Sequence, residues 1–202
     1  MQDLTSTFST VIVNESIKQV ESVTHRIYTV AINAMLIARK INIGTGSFTA
    51  VTTELRHFSN NLNNIMKEMK LEIENLVVLS TLLRKKYKSY QIWEATQTLS
   101  KDSYSLSLMN EVMTKKKHEK DQAIAAVQQS FEHLKEMTGK ALKMCNLGEN
   151  LSILAKVEAS NANHYDNSLL QISHQIENTT LQIYQALNDT MASLNTAYKM
   201  AA

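Results

Sequence analysis

Apolar and small residues recur along the first part of the chain at alternating steps of three and four. In the first segment they are Val13, Ile17, Val20, Thr24, Ile27, Ala31, Ala34, Ala38 and Ile41. In the second they are Phe48, Val51, Leu55, Phe58, Leu62, Ile65, Met69, Leu76, Leu79 and Leu83, with Glu72 as the break. This alternation is typical of the buried seam of a packed helix. It predicts two long helices separated near residues 42–47, where Gly44 and Gly46 lie close together.

Two further segments carry the same helical pattern. The third has Ile124, Val127, Phe131 and Leu134, and the fourth has Leu169, Ile172, Ile176, Ile183, Leu187 and Leu194. Polar segments at 100–103 and 161–166 supply the serine, aspartate and asparagine side chains that commonly begin or end a helix. We therefore expect four helices joined by three short turns.

The helix lengths and the short turns together predict the architecture. Short connections make neighbouring helices antiparallel, so the turns near residues 45 and 163 are expected at one end of the molecule. The middle helices are longer than the outer ones and should project beyond them. The predicted fold is all-α, an elongated antiparallel four-helix coiled-coil bundle in a single domain. It comprises a first hairpin over about 3–83, a two-helix extension over about 84–120 and a second hairpin over about 121–200.

Composition narrows the fold classes further. The 202 residues contain no proline and four glycines, whereas an average chain of this length has roughly ten prolines and fourteen glycines. Because turns depend on these residues, a β-sandwich, a barrel or a many-looped α/β enzyme is excluded. The 21 lysines and arginines against 19 aspartates and glutamates argue against a nucleic-acid binder. The lone Cys145 and a start without a signal-peptide pattern lead us to expect a cytoplasmic protein.

The first predicted hairpin reads VAINAMLIARKINIGTGSFTAVTTELRHFS. Asn33 is followed by Phe48 after fifteen residues, by Glu54 after 21 and by Arg56 after 23. In these residues and intervals the segment resembles the cytoplasmic signalling hairpin of methyl-accepting chemotaxis proteins. The intervals cross a turn, so helical periodicity alone does not produce them. The resemblance implies contacts with a histidine kinase or an adaptor at the hairpin tip.

The segment before the third predicted turn shows a second, weaker resemblance to the same family. The segment LAKVEAS, which includes Glu158, resembles the stretch before the family's turn. The chain thus resembles two degenerate receptor hairpins in tandem, supplied by one polypeptide. The resemblance implies a partner-binding tip made of Asn33, Phe48, Glu54, Arg56 and Glu158.

The remaining chemistry-bearing residues form few recognisable patterns. Glu54 and His57 make one copy of a Glu-x-x-His spacing that di-iron bundles use twice, and we interpret them as solvated polar positions. We therefore predict no catalytic site, no metal site and no cofactor. Two basic clusters are expected to face each other across the extension, as hydrated surface or as a contact for an anionic partner or membrane surface. They contain Arg84, Lys85, Lys86, Lys115, Lys116 and Lys117.

Three hypotheses for the function remain open at this point. The first is a non-catalytic, receptor-like signalling or adaptor module that binds protein partners through the hairpin tip, such as a chemotaxis kinase, an adaptor, receptor bundles or a second copy. The second is a structural or membrane-active bundle, such as a coiled-coil spacer or a toxin-like protein. The third, ranked last because of the alanine-lined first seam, is a ligand-binding four-helix sensor.

Overall fold

The computed structural model describes residues 2–40, 46–99, 102–161 and 167–201. They form four helices and no strand: α1 (Gln2–Lys40), α2 (Gly46–Leu99), α3 (Ser103–Asn161) and α4 (Asn167–Ala201). The predicted all-α bundle is confirmed, whereas the supercoiling of a coiled coil stays a prediction. The turns predicted near residues 45 and 163 lie outside the described residues, as do residues 100 and 101 of the turn predicted at 100–103. The side chains of these predicted seam residues are also outside the description: Val13, Ile17, Ala38, Ile41, Phe48 and Leu169.

The helices pack as a ring in chain order. Within the described residues α1 contacts α2 and α4, α3 contacts α2 and α4, and the diagonal pairs do not meet. Every neighbouring pair is antiparallel. For example, the contacts between α2 and α3 join residue 72 to 130, 86 to 119 and 97 to 110, so the numbers rise along one helix as they fall along the other. Between α1 and α2, the Ser59 hydroxyl donates a hydrogen bond of 3.0 Å to the Thr24 carbonyl. Across the α1–α4 interface, the Arg26 guanidinium donates a bond of 2.8 Å to the Gln182 side chain.

One cross-section of the bundle passes through all four helices. Gly148 on α3 lies against Phe58 on α2 and Thr180 on α4, and Ser59 next to Phe58 contacts Thr24 on α1. From this level each helix runs 12 to 16 residues to its end next to segment 41–45 or 162–166. The two hairpin ends therefore lie at the same end of the molecule, which we call the hairpin end.

The buried face of each helix is wider than the predicted seam. The steps of three and four place Ile65 in the core, but it is only half-buried, and its neighbour Met66 is fully buried. Similarly, Ala123 is buried where Ile124 is half-buried. The reason is that each helix packs against two neighbours, so it buries about three positions per heptad instead of two.

Several core positions carry hydroxyl groups instead of alkyl groups. Thr24, Thr138 and Thr190 are almost completely buried. Each donates its hydroxyl to the carbonyl four residues earlier, at oxygen–oxygen distances of 2.7 to 2.8 Å. Because these bonds satisfy the hydroxyl groups within their own helices, the three threonines fit the core without hydrogen-bond partners from other helices.

The far end of the molecule consists of α2 and α3 alone. The α3 helix is capped by Asp102, whose carboxylate accepts a hydrogen bond of 3.0 Å from the Ser105 backbone. Farther from this turn, Gln97 donates a bond of 2.6 Å to Asn110 across the two helices. No described residue between 77 and 122 is buried. The predicted 84–120 extension falls within this stretch, and its bounds stay a prediction.

Candidate functional site

The hairpin end presents two of the predicted contact residues to solvent. Asn33 on α1 and Glu54 on α2 are both exposed. Because Thr24 pairs with Ser59 across the α1–α2 interface, Asn33 lies about one helical turn nearer the hairpin end than Glu54. Leu36, one turn beyond Asn33 on α1, is 55% exposed. Asn33 shares the helix face of Arg26, seven residues earlier, which contacts α4, and Glu54 shares the face of Glu72, five helical turns later, which contacts α3. The exposed amide and the exposed carboxylate therefore border α4 and α3, respectively, on two sides of the hairpin.

Arg56 is held within the α1–α2 interface. Its guanidinium carbon lies 5.8 Å from the centre of the Tyr28 ring, a cation–π distance. The Nε atom is buried and has no hydrogen-bond partner among the described residues. Arg56 is thus only half-exposed and joins α1 to α2, in addition to any contact it makes with a partner.

The other predicted tip residues lie apart from this surface or outside the description. The side chain of Phe48 is outside the described part of the chain. Glu158 is half-buried on α3, which is diagonal to α1 and does not touch it within the described residues. Asn33, Glu54 and Arg56 therefore lie on one hairpin but on three different sides of it, and Glu158 lies on the other hairpin.

A shallow polar groove lies between α1 and α2, close to the Arg56–Tyr28 contact. Its volume is about 220 Å³, and its lining is Thr24, His25, Tyr28, Ser59, Asn60 and Asn63. The hydrogen bond from Ser59 to Thr24 closes its floor. His25 is exposed at the rim of this groove.

A larger groove of about 460 Å³ lies between α3 and α4. Its lining residues are Cys145, Asn146, Glu149, Ser152, Glu177, Asn178, Thr180, Leu181 and Tyr184. The buried Thr180 hydroxyl in its wall has no hydrogen-bond partner among the described residues. Sequence reasoning missed this groove because its residues come from two helices whose mutual register the sequence does not give.

Two groups that line this groove, Cys145 and Glu177, have pKa values shifted by different causes. Burial raises the pKa of the Cys145 thiol to about 11, so this thiol is protonated at neutral pH and is a poor nucleophile. A hydrogen bond from Lys156, at 2.7 Å, lowers the pKa of the Glu177 carboxyl. The Nδ1 atom of His174 lies 3.5 Å from the same carboxylate.

Glu72 is satisfied by partners on α3, although it interrupts the apolar seam of α2. Its carboxylate accepts a hydrogen bond from the Ser130 hydroxyl, and its second oxygen lies 3.5 Å from the His133 Nδ1. Asn75 contributes a further bond of 3.3 Å. The cluster links α2 to α3 and explains why a carboxylate is tolerated at this position.

The Glu-x-x-His pair does not form part of a larger ligand set. Glu54 and His57 are both exposed on α2. Across the described ranges, no three histidine, cysteine, aspartate or glutamate side chains lie close enough to hold a metal ion.

The two basic clusters lie across from each other on α2 and α3. Lys86 and Lys116 both contact the carboxylate of Glu119, at 3.0 and 3.4 Å, and these contacts lower its pKa. Lys120 places its Nζ atom 4.5 Å from the centre of the Tyr90 ring. The exposed members of the clusters are Arg84, Lys85, Lys115 and Lys117. The Glu119 carboxylate thus lies between two lysines, one from each helix.

None of the described helices contains a stretch that is both long and apolar enough to cross a lipid bilayer. Comparisons of this chain with protein-family models, with curated proteins and with solved structures find no match.

Proposed function

We propose that this chain is a non-catalytic signalling or adaptor module, similar to the cytoplasmic hairpin of chemotaxis receptors, that binds protein partners through its hairpin end. The observation that carries the proposal is that both helix pairs of a single polypeptide end at this same end. In the receptors that the sequence resembles, two chains each contribute one hairpin to the four-helix tip. Here a single chain supplies both pairs.

The side chains exposed near this end support a protein-binding role. Asn33 and Glu54 match the receptor motif, face solvent and lie about one turn apart on adjacent helices. Leu36 adds apolar surface beside Asn33. Apolar surface bordered by polar hydrogen-bonding groups is typical of protein interfaces. A histidine kinase or an adaptor of the chemotaxis type is the expected partner.

The proposal is tested by measuring the affinity of the full chain for a chemotaxis histidine kinase and its adaptor by biolayer interferometry. We expect the double variant Asn33→Ala/Glu54→Ala to bind at least about tenfold more weakly, since it removes the two exposed groups of the hairpin that match the receptor motif. Both side chains are exposed, so the variant should keep the helicity and the melting temperature of the original chain.

The matched control is Asn195→Ala/Glu74→Ala, which changes the same residue types at exposed positions away from the hairpin end. This control should bind like the original chain. Tip coupling is wrong if neither protein binds the original chain, or if the control pair weakens binding as much as the tip pair does.

A further inference from the structure

The α2 helix carries a second apolar stripe on the side opposite the bundle core. We call it the outer stripe, and its members are Leu71, Val78, Leu82, Ile92 and Leu99. Their side chains are 66%, 66%, 44%, 57% and 79% exposed, respectively. Residues 71, 78, 92 and 99 lie at multiples of seven, so they share one face of the helix. The core-facing Met69 and Leu76 each precede a stripe residue by two positions, which is about 200° around the helix.

The outer stripe lies largely in the part of the molecule that has no core of its own. It runs about 42 Å along α2 at 1.5 Å per residue, and most of it falls within residues 77–122, none of which is buried among those described. Exposed apolar side chains grouped on one face of a protein mark interaction sites; here Lys85 divides the stripe into the group Leu71, Val78 and Leu82 and the group Ile92 and Leu99. A partner surface that covers the stripe would bury apolar side chains in the two-helix part of the molecule, where the bundle itself buries none of the described residues.

The charges around the outer stripe are mainly positive, with the exposed Glu74 between Leu71 and Val78 as the exception. Lys85 lies midway between Val78 and Ile92 in the same seven-residue register, and Lys88 is exposed one turn farther along. Residues 84–120 contain nine lysines and arginines against four aspartates and glutamates, although the whole chain is close to balance at 21 against 19. This part of the molecule thus combines exposed apolar side chains with a local excess of cations.

We propose that the outer stripe of α2 docks on the surface of a lipid bilayer that contains anionic headgroups. Leucine, valine and isoleucine side chains would enter the boundary between headgroups and acyl chains, as in helices that lie in the membrane plane. Lys85 and Lys88 would reach the phosphates through their flexible stems. The helix would lie on the membrane without crossing it.

Charge complementarity favours a lipid surface over a second copy of the chain. Lys85 is the midpoint between Leu71 and Leu99, so an antiparallel two-fold pairing of two stripes would place Lys85 opposite itself. Two like charges that face each other in an interface from which water is excluded destabilise the complex. Nucleic acid would complement the cations but would leave the leucines and isoleucine without apolar partners. An anionic bilayer matches both features, and this docking is independent of any contact at the hairpin end.

The first test measures flotation of the full chain with two kinds of vesicle. One contains phosphatidylcholine alone, and the other contains about 30% phosphatidylglycerol in phosphatidylcholine. We expect binding to the anionic vesicles, much weaker binding to the neutral ones, and loss of binding as salt screens the lysines. Equal flotation with both kinds of vesicle, or none with either, would overturn the proposal.

The second test uses two independent variants at exposed positions. Lys85→Gln/Lys88→Gln should weaken binding to the anionic vesicles about 30-fold, because each lysine near such a surface contributes about fivefold. Val78→Ser/Ile92→Ser should weaken it at least about tenfold by removing inserted apolar surface. Since all four side chains are exposed, helicity measured by circular dichroism should not change.

The matched controls are Lys143→Gln/Lys199→Gln and Leu154→Ser/Leu181→Ser, which are exposed positions on α3 and α4. Neither control should alter flotation. A loss of binding in the controls as large as in the stripe variants would refute a role for the outer stripe. The proposal also fails if light scattering finds a dimer that Val78→Ser/Ile92→Ser converts to a monomer, since a second copy would then cover the stripe.

Discussion

Replacing Gly148 by alanine is expected to destabilise the bundle, although glycine inside a helix is normally a weakness. Gly148 is buried on α3, at the level where three helices meet. A Cβ atom built there would lie 2.9 Å from the Thr180 Cγ2 and 3.0 Å from the Phe58 Cζ. Phe58 is itself only 1% exposed, so its ring has little room to move. Gly148 thus permits a close approach of α2, α3 and α4.

The magnitude follows from two opposing contributions. Alanine gains about 1 kcal/mol over glycine in a helix interior, whereas forcing a methyl group into a packed core costs about 1–3 kcal/mol. The displaced atoms belong to a buried ring and a β-branched side chain, so we expect the steric cost to be larger. The free energy of unfolding should fall by about 1 kcal/mol net.

Gly139 provides the matched control on the same helix. A Cβ atom there would meet nothing within 4 Å, so Gly139→Ala should raise the free energy of unfolding by about 0.5–1 kcal/mol. Urea unfolding followed by circular dichroism at 222 nm, a helical signal, compares both variants with the original chain. If Gly148→Ala proves as stabilising as Gly139→Ala, the close approach of the three helices is wrong.

Three further predictions concern side-chain contacts in the bundle. Lys156→Met should lower the free energy of unfolding by a few tenths of a kcal/mol at neutral pH. Because Lys156 lowers the pKa of Glu177 in the folded state, this difference should be complete above the ordinary glutamate pKa of 4.5 and should disappear as the pH falls through the lowered pKa. A difference that does not depend on pH would contradict the prediction. The buried Cys145, with its pKa of about 11, should react with a thiol reagent at pH 8 much more slowly in the folded chain than in urea, and equal rates would contradict the burial. Ser130→Ala should lower the free energy of unfolding, measured in urea, by about 1–2 kcal/mol, because it removes a hydrogen-bond donor to Glu72. In a Glu72→Gln background the same substitution should lower it clearly less, since the structure couples the two side chains.

The sequence by itself determined the helices and most of the core. The absence of proline and the steps of three and four residues act along a single helix, so they require no knowledge of its neighbours. Leu55, Leu62 and Leu76 on α2 and Ile176 on α4 are fully buried as these patterns predict. The predicted capping role of Asp102 is confirmed, since capping depends on groups a few residues apart.

Only the tertiary structure decided which residues of different helices meet. Glu72 is an interruption when α2 is considered alone, and it becomes a hydrogen-bonded position only when α3 brings Ser130 to it. The role of Gly148 likewise depends on Phe58 and Thr180 from two other helices. The physical reason is that periodicity fixes the face of a helix toward the core, whereas the axial register between helices comes from side-chain packing summed over the whole bundle.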